Sequence, residues 1–317
     1  MSRLEGIFVH VLDQCADLKA EEVLIVSDPK YDQTIVDALT SAVRRFDARP
    51  ILLTIDAGLL TDRSIPRSLT AAMRNADLIL LCTSFLVPQG VRREAAEAGA
   101  RLISMSGIDR VTVKRCFDIN YDELSRTTRM LAETLQSSKV ITYETSSGTE
   151  LRAELVGRKS VYLDGLARIR GQLSALPAGV VAIAPREETA NGTVVIDGSV
   201  AEMGVVHSPI SCTVKDGRIV DIKGGRGAKK FKALLSRDGS TGFQLAEVGV
   251  GTNPKAKYTG NLLEDERVYA SGHIGFGRNS HIGGITESKV HIDSTVRRPE
   301  VYVNGQRIVS SGKIEIV

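Results

Sequence analysis

The chain has 317 residues, of which 42% are hydrophobic and 25% are charged, and its formal net charge is +3. This length exceeds a typical single core, so we expect two domains in a globular protein. The chain contains no tryptophan and only 4% aromatic residues, which argues against a nucleic-acid groove built on stacking aromatics. No apolar run reaches the roughly 18 residues of a membrane span, and the first residues lack the apolar core of a signal peptide. We therefore expect a cytoplasmic protein without nucleic-acid or membrane partners.

Short apolar strands alternate with amphipathic helices through the first half. The pattern predicts strands at 23–26, 50–55, 78–82 and 101–105, and helices near 32–46, 66–75, 89–98 and 120–137. This alternation predicts a parallel sheet covered on both faces, in an α/β Rossmann-like domain over residues 1–137. Neither GxGxxG nor a Walker loop follows the first strand, so we expect this domain to be structural or dimerising.

The second half is rich in glycine, with 21 of the 29 glycines in residues 171–317. Alternating segments at 139–144, 150–155, 192–197, 211–214 and 218–222 are separated by turn signals such as Asn191-Gly192 and Asp216-Gly217. Such signals are typical of hairpins. The sequence therefore predicts a β-rich α+β domain over residues 138–317, with one helix near 229–236.

Three of the five histidines lie between Glu247 and Asp293. The run Glu287–Asp293 reads as a strand that points His291 and Asp293 to the same side, because side chains alternate along a strand. Imidazole and carboxylate groups side by side suit a divalent metal. Glu247 and His273 belong to neighbouring segments in which every second residue is glycine, and such glycines leave room close to the backbone. We therefore predict a metal site in this domain.

The segments that carry these residues resemble the C-terminal metal domain of the aminopeptidase T/aminopeptidase S family. They read PREETANG, AEVGVGTNP, EDE, GHIGFGRN and HID, and they follow one another in the family's order over about residues 180–310. The family consists of dimeric two-metal peptidases with an α/β first domain. The resemblance implies a homodimer and a pair of Zn, Co or Mn ions, held by Glu188, Glu247, His273, His291 and Asp293. Ser280 stands where the family has a tyrosine, and the adjacent His281 is a candidate replacement or substrate contact.

On this resemblance we expect a metal-dependent aminopeptidase that hydrolyses small peptides. A metal-activated water would attack the scissile carbonyl. Glu187, Glu264 or Glu266 would carry the proton to the leaving group, and His281 is also a catalytic candidate.

An alternative is the related 2,5-dihydroxypyridine 5,6-dioxygenase branch, whose single Fe(II) is held by two histidines and an aspartate. Its first histidine falls where this chain has Glu247, yet the turns written GTNP, GRN and IGG are closer to this branch. The alternative predicts an Fe(II) oxygenase that cleaves a hydroxylated aromatic or pyridine ring, with the metal on His273, His291 and Asp293. We give ligand identity more weight than turn sequence, so the peptidase is the main prediction. A third hypothesis is a non-catalytic binding protein that keeps the fold.

Overall fold

The structure is a computed structural model that describes residues 1–56 and 66–316. Its helices are α1 (Arg3–Val11), α2 (Gln33–Val43), α3 (Arg67–Asn75), α4 (Gln89–Glu97), α5 (Arg110–Cys116), α6 (Tyr121–Ser137), α7 (Arg226–Leu235) and α8 (Leu262–Asp265). The first ten strands are β1 (Glu22–Ser27), β2 (Arg49–Thr54), β3 (Leu78–Cys82), β4 (Arg101–Ser104), β5 (Val140–Glu144), β6 (Glu150–Glu154), β7 (Ser160–Leu163), β8 (Leu173–Ala175), β9 (Val180–Ile183) and β10 (Asn191–Ile196). The remaining strands are β11 (Ser199–Val200), β12 (Gly204–Val205), β13 (Ile210–Lys215), β14 (Arg218–Lys223), β15 (Leu245–Gly251), β16 (Gly272–Gly277), β17 (His291–Val296), β18 (Glu300–Val303), β19 (Gln306–Ser310) and β20 (Lys313–Ile314).

Two compact units are present. The first contains Met1–Ser125 and Leu163–Ala178, and the second contains Arg126–Tyr162 and Gly179–Val317. The predicted domain boundary between residues 137 and 138 remains a prediction. In the two compact units, most of α6 belongs to the second unit. Among the described residues, no helix combines the length and apolarity needed to cross a bilayer.

The first unit is built on a parallel sheet with strand order β2-β1-β3-β4-β8. Every residue of β3 and β4 is buried, as expected for central strands covered on both faces. The prediction of a parallel sheet is therefore confirmed. Strand β8 was missed, because three residues are too few to show a periodicity.

The second unit contains two antiparallel sheets, with strand orders β14-β13-β10-β6-β5-β18-β19-β20 and β12-β11-β17-β16-β15-β9-β7. A shared apolar core includes Leu135 from α6, Phe231 from α7 and Phe276 from β16. The predicted β-rich texture is confirmed. The second of these sheets carries four of the predicted metal ligands on its central strands β15, β16 and β17.

Two local predictions in this unit are wrong. Asn191-Gly192 is not a turn but the start of β10, where Gly192 has φ +131° and a Cβ would lie 1.9 Å from the Glu150 carbonyl oxygen. The glycine therefore permits a close approach between strands. The predicted strand over Glu287–Asp293 begins only at His291. The residues before it are held by the Asp238 carboxylate, which accepts hydrogen bonds from the Ser288 hydroxyl (2.7 Å) and the Lys289 amide (2.8 Å).

Candidate metal centre

The register of three antiparallel strands brings four of the five predicted metal ligands to one face. Glu247 on β15 lies opposite Gly275 on β16, which in turn lies opposite Asp293 on β17. In the same way Gly249 pairs with His273, and Gly277 pairs with His291. Because paired residues point to the same side of a sheet, two carboxylates and two imidazoles share this face with three glycines. The prediction that His291 and Asp293 point the same way is confirmed, since both are half-buried between buried neighbours.

The glycines of this face make room for the acidic and imidazole side chains themselves. A Cβ on Gly275 would lie 2.5 Å from Asp293 Oδ1 and 2.6 Å from Glu247 Cγ. A Cβ on Gly249 would lie 2.1 Å from Cε1 of His273. Any larger residue at either position therefore has to displace a polar side chain of the site.

Glu247 is the centre of this arrangement and is buried. Its Oε1 lies 2.7 Å from His273 Nε2, and its Oε2 lies 3.6 Å from His291 Nε2. The carboxylate can only accept, so we place the proton of His273 on Nε2. His273 is 1% exposed, and its Nδ1 is buried without a hydrogen-bond partner among the described residues. His273 thus fixes the orientation of Glu247 within the same face.

His291 is oriented by the backbone at the end of β16. Its Nδ1 donates a hydrogen bond to the Arg278 carbonyl oxygen at 2.7 Å, and its Nε2 lies 3.1 Å from Asp293 Oδ1. A carbonyl partner on one ring nitrogen is the usual way in which a metal-binding histidine presents the other. Burial lowers the pKa of His291, but the Asp293 carboxylate outweighs it and raises the pKa to about 9. Burial likewise raises the pKa of Asp293, and the adjacent His291 lowers it below its usual value.

The structure adds His281 to this cluster. It lies in the short 3-10 turn Ser280–Ile282 after β16, and its ring packs edge-on against His291 with ring centroids 4.6 Å apart. Ligand atoms of Glu247, His281 and His291 all lie within 4.8 Å of one another. Burial lowers the pKa of His281, and the neighbouring His291 lowers it further. Two imidazoles in their neutral form and a carboxylate are a donor set for a transition metal.

Sequence analysis treated His281 as a catalytic or substrate-contact residue and left it out of the ligand set. The sequence signal for His281 was its place beside Ser280 and Gly283-Gly284, in a glycine-rich segment. It was not decisive, because the path of a loop is not fixed by strand periodicity.

The adjacent acids Glu187 and Glu188 have different environments. The Glu187 side chain is largely buried, and its Oε1 accepts hydrogen bonds from Asn279 Nδ2 and the Ile285 amide, both at 2.9 Å. Its Oε2 forms an ion pair with Arg158. Glu188 is exposed in a turn with φ +66°, and no contact described in 1–56 or 66–316 joins its carboxylate to the cluster. Its assignment as a ligand therefore remains a prediction.

The other predicted acids lie around α8. Glu264 is buried and accepts a hydrogen bond from the Lys257 amide at 3.0 Å. Glu266 forms an ion pair with the buried Arg267. These contacts give both acids a part in holding the turn between β15 and β16, and their catalytic roles remain predictions.

Comparison with known proteins identifies relatives along the whole chain. The family described as NicX, 2,5-dihydroxypyridine 5,6-dioxygenase, matches residues 3–316. A 2,5-dihydroxypyridine 5,6-dioxygenase from Pseudomonas putida is 22% identical over 351 aligned positions, which cover 99% of this chain and 96% of that protein. The solved structure of the 2,5-dihydroxypyridine dioxygenase from Pseudomonas putida KT2440 is similar with a TM-score of 0.85 at 18% identity, covering 99% of this chain and 97% of that one. Wild-type AmpT from Thermus thermophilus is similar with a TM-score of 0.74 at 17% identity, covering 98% of each chain.

These matches correct the main functional prediction. The main prediction, that the protein is a hydrolase of the metallo-aminopeptidase type, is wrong, since the family match and the curated relative are both dioxygenases. The likeness to AmpT at 17% identity shows the fold alone. The ligand types misled the prediction, because a single substitution is enough to change one ligand. The glycine-rich turns are a better sign of the family, because they constrain the backbone of the whole site. Turn sequences such as GTNP were the better guide.

Proposed function

Because the chain belongs to the NicX family of 2,5-dihydroxypyridine 5,6-dioxygenases, we propose that it is a non-haem Fe(II) dioxygenase that opens a hydroxylated aromatic or pyridine ring. The observation that carries the proposal is the convergence of Glu247, His281 and His291 within 4.8 Å. Two histidines and one carboxylate are the donor set typical of non-haem Fe(II) oxygenases, and they leave coordination positions open. The relative's name supplies the substrate class, a ring that carries hydroxyl groups.

Both kinds of donor in the cluster, the imidazoles and the carboxylate, suit an Fe(II) ion. Neutral imidazole suits Fe(II), and the negative charge of Glu247 compensates part of the ion's charge. The Arg278 carbonyl already holds His291 in the tautomer whose Nε2 is available to a metal. Bound iron would supply the one-electron chemistry that allows O2 to react with an electron-rich ring.

The chain's own residues would prepare the site. His273 donates to Glu247 Oε1 at 2.7 Å, which keeps that carboxylate in place and leaves Oε2 towards His291. Asp293 lies 3.1 Å from His291 Nε2, and we propose that it serves as a further ligand or as the acceptor of a substrate hydroxyl proton. The lowered pKa of Asp293, caused by His291, keeps it ionised for either role.

Glu247 is the departure from the family pattern described above, in which a histidine occupies that position. We propose that His281 restores the second imidazole, so that the donor count is kept although one donor comes from another segment. The non-catalytic hypothesis is weakened by this convergence, because an unused cluster of four polar side chains on one buried face would only cost stability. A small-molecule substrate and a homodimer are part of the proposal.

The test is oxygen consumption by protein loaded anaerobically with Fe(II), with 2,5-dihydroxypyridine and with hydroxylated benzenes as candidate substrates. We expect uptake of one O2 per ring opened, and loss of the ring's ultraviolet absorbance at the same rate. Zn-loaded protein is the control and should be inactive, because zinc has no redox chemistry. Turnover that continues without oxygen, or equal turnover with Zn, would contradict the proposal.

A further inference from the structure

Loop 279–286, which follows β16 and carries His281, has little apolar packing of its own. Within it Ile282 is buried, whereas Ile285 is 77% exposed. The His281 ring contacts His291, but no hydrogen bond among the described residues holds the ring itself. The position of His281 is therefore set by whatever holds the loop.

The loop is closed internally by Asn279. Asn279 Oδ1 accepts a hydrogen bond from the Thr286 amide at 2.8 Å, and its carbonyl oxygen accepts one from the Gly284 amide at 2.9 Å. A Cβ on Gly284 would lie 2.0 Å from Asn279 Cγ. These contacts fix the shape of the loop, and a separate set of contacts fixes where it lies.

That second set is centred on Glu187 and Arg158. Glu187 Oε1 accepts hydrogen bonds from Asn279 Nδ2 and from the Ile285 amide, both at 2.9 Å. Arg158 forms an ion pair with Glu187 Oε2 and donates from a second nitrogen to the Gly283 carbonyl at 2.6 Å. The pair thus holds the loop at three points that flank His281. Both side chains of the pair are about seven-eighths buried, with exposures of 12% and 13%, where a hydrogen-bonded ion pair is little weakened by solvent.

We propose that the Glu187–Arg158 pair is the anchor that positions His281 as a metal ligand. Glu187 is then a positioning residue, in place of the proton carrier expected from the sequence. Its Oε1 accepts two hydrogen bonds and its Oε2 pairs with Arg158, so protonation of Glu187 would weaken the contacts that hold the loop. Burial raises the pKa of Glu187, but the hydrogen bonds from Ile285 and Asn279 and the charge of Arg158 outweigh it and lower the pKa. This inference rests on the proposed metal-binding role of His281.

The test counts imidazole ligands directly and does not depend on turnover. Protein loaded with one equivalent of Cu(II) is studied by pulsed electron paramagnetic resonance, in which each coordinated imidazole gives a resolved nitrogen modulation. We expect two imidazoles in the unchanged protein and one in His281→Ala. Glu187→Gln should also lose the His281 signal in most molecules and weaken Cu(II) binding by about 10-fold, the range observed when partners of ligands are removed.

Two further variants separate anchoring from general damage. Glu94→Gln removes one partner of an exposed ion pair with Arg74 in the first unit and should keep two imidazoles. Arg158→Lys keeps the charge but not the planar fork, and should give an intermediate count while the melting temperature stays close to that of the unchanged protein. Two imidazoles in Glu187→Gln with unchanged affinity would overturn the anchor.

The two proposals fail in different ways. If His281→Ala has the same imidazole count as the unchanged protein, His281 is not a ligand, and the anchor is overturned together with that donor set. If the counts follow our expectation but Fe(II)-loaded protein consumes no oxygen with any ring tested, the anchor stands and the proposed dioxygenase activity fails.

Discussion

The candidate metal centre is built from two regions that are positioned by different means. Glu247, His273, His291 and Asp293 lie on strands β15, β16 and β17, where backbone pairing fixes the register of every side chain. His281 lies on a loop held in place by side-chain hydrogen bonds and one ion pair. A strand face resists displacement because many backbone bonds must shift together. A loop moves when one or two side-chain contacts are lost. We therefore expect the strand face to determine whether a metal binds and the loop to adjust how the metal is held.

The strongest test of this comparison is Glu247→Ala, which removes the carboxylate at the centre of the strand face. We expect metal affinity to fall by more than about 100-fold, because the loss of partners outside a ligand set already costs about 10- to 100-fold. Isothermal titration with Fe(II) under anaerobic conditions measures it. His207→Ala is the control, since His207 is exposed and its removal should change nothing. Near-normal affinity in Glu247→Ala would show that the strand face is not the main site.

The second test fills the space that the strand face keeps free. In Gly275→Ala the new Cβ would lie 2.5 Å from Asp293 Oδ1 and 2.6 Å from Glu247 Cγ, so both carboxylates must move. Overpacking of this kind destabilises by about 1–3 kcal/mol, and we expect metal affinity to fall by at least about 10-fold as two ligand positions shift. Denaturant unfolding and metal titration measure the two effects. Gly225→Ala is the matched control, because nothing lies within 4 Å of its Cβ; equal behaviour of the two variants would contradict the expected crowding.

The same comparison explains what the sequence could predict. Alternation along β15, β16 and β17 placed Glu247, His273, His291 and Asp293 in one site, because a period of two assigns every residue to a face. The parallel sheet of the first unit was predictable for a similar reason, since its strands are short apolar runs between amphipathic helices. His281 could not be assigned to the ligands in this way, as its position depends on contacts with Glu187 and Arg158, which lie far away in sequence.

Proton competition at the strand face gives a third test. In metal-free protein Asp293 raises the pKa of His291 from 6.5 to about 9 against the effect of burial. A raised pKa in the folded state means that the pair stabilises the fold below about pH 6.5 and that this stabilisation is lost as the pH rises to about 9. A metal has to displace that proton, so its affinity should rise by up to about 10-fold per pH unit over the same interval.

Unfolding of chelator-treated protein and metal titration, each from pH 6 to 9.5, would measure both slopes. His291→Gln removes the titrating group and should flatten the change in stability. If metal affinity does not change with pH in the unchanged protein, His291 is not protonated in the metal-free state, and Asp293 does not raise its pKa.

The smallest effect is expected from a change in the loop alone. Gly284→Ala would place a Cβ 2.0 Å from Asn279 Cγ, and this distorts the internal closure of the loop without touching β15, β16 or β17. We expect metal affinity to fall by about 3- to 10-fold, because His281 would be displaced while Glu247 and His291 remain. The free energy of unfolding should change by less than in Gly275→Ala, since the loop adds little to the buried core. Denaturant unfolding and Fe(II) titration on both variants test the ranking. A larger loss of metal binding in Gly284→Ala than in Gly275→Ala would reverse the comparison, because the loop would then decide whether the metal binds at all.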